Sequence, residues 1–192
     1  MLCNRLHNHH LPTSIRYTSH MDRMPTTDTT PPPFPTRKAL DHRGPLCIVP
    51  NNAIYFVTLC AENRADTPLL KVAGMLIQSA RHYHQIGNWF LHLFLVMPDH
   101  LHLLVQVPAD GDLTRGLACW RRYLRRVHGI AFQRGYFETR IRDAEHFAEK
   151  WRYILFNPVT RGIVATPRDW PYVISFNPST GEERQHRGPA MR

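Results

Sequence analysis

Two apolar runs separated by a single Pro-Asp step constrain this chain more than any other feature. Trp89 to Met97 is the first run and His100 to Val107 the second, with Pro98-Asp99 between them. Such a pair reads as two strands turned back on each other in a hairpin. Side chains alternate faces along a strand, so His100 and His102 point the same way while Leu101 and Leu103 point the other. Two neutral imidazoles side by side on a rigid strand are half of a ligand set for a divalent metal. The same pair also reads as two hydrogen-bonded residues of a core or surface, and the pattern alone does not decide between them.

Strand and helix signals alternate around the hairpin. Ile54 to Cys60 is rich in β-branched and aromatic residues and reads as a strand. Leu69 to Gln85 has apolar residues at helical spacing, with Thr67 as N-cap and Pro68 in the first turn. Asp112 to His128 predicts a second helix, capped by Asp112 and ended by Gly129. Tyr136 to Ile141 predicts a fourth short strand, and Asp143 then caps a helix running to about Asn157. The order β-α-β-β-α-β-α predicts an α+β fold: a ferredoxin-like βαββαβ sandwich, an antiparallel sheet with helices on one face, plus a C-terminal helix.

Composition limits the rest. At 192 residues with 43% hydrophobic content the chain suits one core. A disordered N-terminal arm over residues 1–42, a domain over 43–176 and a flexible tail over 177–192 are the expected organisation, the arm being rich in His, Thr and Pro. A net charge of +9 favours a polyanionic partner, nucleic acid ahead of a membrane surface. No apolar stretch approaches the roughly 20 residues that span a bilayer. Cys3, Cys47, Cys60 and Cys119 are scattered without a C-x-x-C pair and read as reduced thiols of a cytoplasmic protein.

The last helix separates into faces. Phe147, Trp151, Ile154 and Pro158 fall on one stripe, which packs on the core. Tyr153 and Asn157 fall together on another face, offset by roughly a third of a turn, and His146 and Lys150 extend it. By spacing alone Tyr123, Tyr136 and Tyr153 are rivals for any nucleophilic role. The second helix leaves Arg115, Arg121, Arg122, Arg125 and Arg126 outside its apolar stripe, with Asp112 its only acid, which favours phosphate contacts. Arg140, Arg142, Arg152 and Arg161 lie in or beside the same segments, and Trp89, Phe137 and Trp170 read as core residues or as base-stacking platforms.

The strand motif M-P-D-H-L-H-L-L-V, followed by a helical W-R-Y-I-L-F-N-P-V-T-R-G, resembles the single-tyrosine HUH transposases, and most of all their REP-associated tyrosine transposase branch. Y-F-V-T-L-C-A-E-N-R at Tyr55 to Arg64, F-Q-R-G-Y-F-E-T-R-I-R-D at Phe132 to Asp143 and D-W-P-Y at Asp169 to Tyr172 extend the resemblance over about residues 43 to 176. It implies an enzyme that nicks and rejoins single-stranded DNA hairpins through a 5′-phosphotyrosine. In that scheme His100 and His102 hold Mg²⁺ or Mn²⁺, Tyr153 is the nucleophile, and Asn157 stands where relatives place a third ligand. Arg115, Arg121, Arg122, Arg125, Arg126, Arg140 and Lys150 are the expected DNA contacts, and the protein acts as monomer or homodimer without a membrane. The alternative is a domesticated hairpin-binding protein that keeps the fold without turnover. A relaxase or replication initiator of the same fold is less consistent with the Y-I-x-x-N-P context.

Overall fold

The computed structural model describes residues 53–65 and 68–186. The chain divides into two units, Met1–Leu46 and Cys47–Arg192, and every described residue belongs to the second. The expected N-terminal arm, Thr67, Cys3 and Cys47 lie outside the described residues. Cys60 and Cys119 are in no disulfide.

The strands are β1 (Ile54–Cys60), β2 (Phe90–Val96), β3 (His100–Gln106), β4 (Phe137–Arg140), β5 (Val173–Phe176) and β6 (Glu183–Gln185). The helices are α1 (Ala73–Gln85), α2 (Leu113–His128) and α3 (Ala144–Thr160). Strand order in the sheet is β4-β1-β3-β2-β5-β6, and every pairing is antiparallel. The first four strands with α1 and α2 are the expected ferredoxin-like unit. β5 and β6 widen the sheet past β2, with β6 lying inside the segment expected to be a loose tail. Neither strand carries a pattern long enough to read in isolation: they are held by the ladder that β2 offers and by the bidentate pair of Arg81 with Glu183, at 2.6 and 2.7 Å.

Alternation along the strands splits the core into two layers. Val57, Leu59, Leu101, Leu103 and Val105 face α1 and α2, where Leu76, Leu117, Trp120 and Leu124 are fully buried. Phe56 and Leu104 face the other way, onto Phe147, Ile154 and Leu155 of α3. The register slips between Leu91 and Leu93, so Leu91 enters the first layer while His92 and Leu93 both turn toward α3, as a β-bulge does.

α1 begins at Ala73, later than the expected Leu69, because Leu70–Val72 forms a separate 3-10 turn and Val72 precedes the helix without a side-chain cap. The ends of α2 and the start of α3 follow the expected caps. The Asp112 carboxylate accepts from the Arg115 N–H at 3.1 Å, and Gly129 ends α2 at φ +67°. Asp143 accepts from His146 N–H at 2.8 Å to start α3. That helix passes through Pro158 and ends at Thr160, one turn beyond the expected end near Asn157. Proline removes one donor, yet the carbonyls of Asn157 and Pro158 are still taken by the N–H groups of Arg161 and Ile163. Asn157 therefore sits within helical geometry.

Candidate active site

His100 opens β3 immediately after the Pro98-Asp99 turn, and both its ring and that of His102 face α3. Register places Thr58 of β1 opposite His102, and the Thr58 hydroxyl lies 2.9 Å from His102 Nδ1. His100 Nδ1 donates to the Asp99 carboxylate at 2.7 Å. Arg64 grips the same carboxylate through Nε at 2.7 Å and through its terminal nitrogen. Burial opposes the charge on Asp99, but the bonds from His100 and Arg64 hold its pKa below the ordinary carboxylate value.

These contacts set the protonation of the pair. A carboxylate accepts only, so the proton of His100 is on Nδ1 and its Nε2 carries a lone pair. The Asn157 amide nitrogen donates to His102 Nε2 at 3.1 Å, which makes that nitrogen an acceptor too. Burial lowers the pKa of His100, and it lowers that of His102 further still, helped by the neighbouring His100 and Arg161. Both rings are neutral near pH 7.

Two acceptor nitrogens then face each other at 3.1 Å. Beside them the Asn157 amide oxygen is buried without a hydrogen-bond partner. Lone pairs this close repel unless something positive lies between them. Neighbouring donors around an ion with bonds of about 2.1 Å stand roughly 3 Å apart, so the spacing suits a divalent cation. Turning the Asn157 amide over would bring its oxygen to the same point. Among the described residues no group of three or more His, Cys, Asp or Glu is placed to hold a metal. The two imidazoles and the amide that do meet here are donors of a kind that fits the group the sequence resemblance implies.

Tyr153 completes the cluster. Its ring is half-buried, with its centroid 5.5 Å from His102 and 5.7 Å from Phe56, which itself stacks on His102 at 5.4 Å. One turn earlier Lys150 reaches over Phe56, its ammonium 5.9 Å from the ring and 2.8 Å from Glu149. The rival tyrosines are elsewhere. Tyr136 bonds Thr114 at 3.1 Å and packs in the α1–α2 layer, while Tyr123 lies on α2 beside His128.

The other expected residues separate by face. Arg115, Arg122, Arg125 and Arg126 are exposed on α2, across the sheet from the histidines, and form no salt bridge among the described residues. Arg121 is engaged with the chain itself, donating to the carbonyls of Phe132, Gln133 and Arg134. Arg140 pairs with Tyr55 in the β4–β1 ladder and shares its face, away from Tyr153. Trp89 and Trp170 are 2% and 4% exposed, so neither is open to a base; Trp170 donates to the Val96 carbonyl. Sequence reasoning passed over Thr58, Phe56 and Arg64, whose roles depend on pairings between distant segments.

No protein-family model matches the chain. The REP-associated tyrosine transposase of Haemophilus influenzae is 30% identical over 141 residues, covering 62% of this chain and 77% of that one. The chain belongs to the REP-associated tyrosine transposases. A solved structure of a REP-associated tyrosine transposase bound to a REP hairpin has the same fold, with a TM-score of 0.59 at 24% identity, covering 64% of this chain and 76% of that one. The α+β architecture of this chain is thus shared with that structure. No helix among the described residues is long and apolar enough to cross a membrane.

Proposed function

We propose that the chain nicks and rejoins single-stranded DNA at hairpins of the REP type, through a covalent link to Tyr153. The observation that carries this reading is the meeting of Tyr153 and Asn157, from one face of α3, on His102 of β3. These groups lie far apart in sequence, and core packing alone would not bring a phenol, an amide and two neutral imidazoles to one point. The hairpin bound by the structural relative supports the choice of substrate.

The chemistry asked of each residue is limited. The Tyr153 oxygen attacks the phosphorus, the bond to the 3′ oxygen breaks, and a 5′-phosphotyrosine and a free 3′-OH result. Tyr153 loses a proton and the departing oxygen gains one. Because a phenol of ordinary pKa about 10 is a good leaving group, a later 3′-OH can reverse the step without outside energy. His100, His102 and Asn157 would hold Mg²⁺ or Mn²⁺, which when bound neutralises charge growing on the phosphate. Asp99 and Thr58 keep both imidazoles turned with Nε2 inward. Lys150, held by Glu149, adds positive charge next to Tyr153.

A labelled DNA hairpin with a single-stranded tail, incubated with the protein and Mn²⁺ or Mg²⁺, tests this. A covalent protein–DNA adduct is expected, and it disappears in Tyr153→Phe, which keeps the ring. Hairpin binding by the wild-type protein without any adduct would instead favour the silent binding protein.

A further inference from the structure

The chemistry proposed above leaves one side chain on the same face without a role. Phe137 is 47% exposed and is the one exposed phenylalanine among the described residues. It belongs to β4, the edge strand, and stands opposite Thr58 in the β4–β1 ladder. Thr58 in turn stands opposite His102. Phe137, Thr58 and His102 therefore form one row across three strands, placing Phe137 about 10 Å from the histidine at a strand spacing near 4.8 Å.

The rings form a continuous path along that row. Phe137 meets Phe56 edge-on at 6.1 Å, and Phe56 contacts both His102 and Tyr153. Single exposed apolar residues are ordinary on a protein surface. What distinguishes Phe137 is that one edge is fixed against the ring that supports the Tyr153 cluster, while much of its surface remains open at the rim of the sheet. A cation stands nearby: the Lys150 ammonium lies 5.9 Å from the centroid of Phe56, the ring that Phe137 meets. Two of the nearby acids are held by partners, Asp99 by Arg64 and Glu149 by Lys150.

We infer that Phe137 is a stacking platform for an unpaired nucleobase next to the phosphodiester presented to Tyr153. An unpaired base offers an apolar π-face that an exposed phenyl ring can cover, and its phosphate needs the nearby positive charge. The inference rests on the proposed DNA chemistry and names how the strand is positioned for it. Phe137 acts here as a positioning residue.

The test uses the full chain with Tyr153→Phe, so that binding is read apart from cleavage. The probe is a DNA hairpin with a single-stranded tail, made abasic at each tail position in turn, or carrying a fluorescent adenine analogue there. One position is expected to be sensitive: removing its base weakens binding roughly five- to hundredfold, the range for loss of one base–aromatic stack. In Phe137→Ala that sensitivity is lost at that position and kept elsewhere, and the analogue there regains its fluorescence. Phe137→Trp restores both, whereas Phe137→Leu, apolar but not aromatic, restores neither. An abasic profile that is the same in wild-type and Phe137→Ala backgrounds overturns the inference, as does full rescue by leucine. If the wild-type chain forms the adduct while either of those results holds, only the platform fails. If it binds no tailed hairpin at all, the functional reading fails and takes the platform with it.

Discussion

The two faces of one sheet are built from different materials. Toward α1 and α2 the interior is Val57, Leu59, Leu101, Leu103, Val105 and Trp120. Its buried polar residue is Ser79, which accepts from the Trp120 indole at 3.0 Å, while Trp89 Nε1 and one Glu138 oxygen are buried there without a partner. Toward α3 the same strands bury His92, His100, His102 and Ser175, and α3 adds Asn157. Burying a polar group costs free energy unless it is bonded, so a face this polar is unfavourable as packing alone. The difference teaches a division of labour: the α1–α2 layer holds the fold, and the α3 layer spends part of that stability on arranging polar groups.

Substitution on each face tests the division directly. His102→Ala removes a nitrogen from the proposed ligand set and is expected to lower adduct formation by on the order of a thousandfold or more, since a lost metal ion forfeits several kcal/mol of charge stabilisation. Calorimetric titration with Mn²⁺ should show binding lost as well. Trp120→Ala on the other face should cost about 3–5 kcal/mol of stability, measured by urea unfolding, as large aromatic truncations in cores do. The yield of adduct per folded molecule should not change. If Trp120→Ala instead impaired chemistry in the folded fraction, the two layers would not be separable.

His92 sharpens the comparison, because it is polar and buried on the α3 side but touches neither Tyr153 nor the histidine pair. Its Nε2 lies 3.2 Å from the Gln106 side chain, and its ring meets Phe147 edge-on at 5.3 Å. Burial, only partly offset by Gln106, lowers its pKa to about 4. The unfolded chain takes up that proton near pH 6.5, so stability is full above about 6.5 and falls as the pH drops toward about 4. Over that window the loss is on the order of 3 kcal/mol. Urea midpoints measured across it should fall less steeply for His92→Gln than for the wild type. An equal slope would mean that His92 is not neutral in the folded chain.

Asp99→Asn is a milder probe of the polar layer. An amide can still contact His100 but no longer fixes the proton on Nδ1 or pairs with Arg64. Outer partners of ligating histidines are typically worth about 10–100-fold in metal affinity. Titration should show a loss of that size with the far-ultraviolet circular dichroism unchanged.

Much of this arrangement is legible from local pattern. The first strand, Ile54–Cys60, coincides with its expected range, and Asp112, Gly129 and Asp143 cap as their residue types require. The shared face of His100 and His102 follows from the period of two, and that of Tyr153 and Asn157 from the helical turn. What local pattern does not carry is pairing at a distance. Thr58 meets His102, and Arg64 meets Asp99, through the β1–β3 register and the loop beyond it. The bulge at His92 breaks the alternation, and a single histidine among apolar residues does not by itself mark a slip in register. β5 and β6 exist through their neighbours. The arginines of α2 read from the sequence as one basic set, but the fold divides them, because only Arg121 lies within reach of the carbonyls before β4.

That division gives the smallest expected effect and the finest test of the two faces. Arg125 is exposed on α2, on the side away from Tyr153, whereas Arg121 donates to backbone carbonyls. If α2 holds DNA phosphates, Arg125→Gln should weaken hairpin binding by a few-fold and reduce the slope of log affinity against log salt by about 0.9. Adduct yield at saturating DNA should stay the same, because Arg125 lies across the sheet from the reacting groups. Arg121→Gln should do the reverse: it should lower stability by roughly 1 kcal/mol through the lost carbonyl bonds and leave the salt slope alone. Equal salt slopes for the wild type and Arg125→Gln would take Arg125 out of the phosphate contacts and leave Arg115, Arg122 and Arg126 as the exposed cations of α2 still to be tested. A shallower slope in Arg125→Gln would mean that the strand bound at one face is also gripped from the other, around the β4 edge where Phe137 stands.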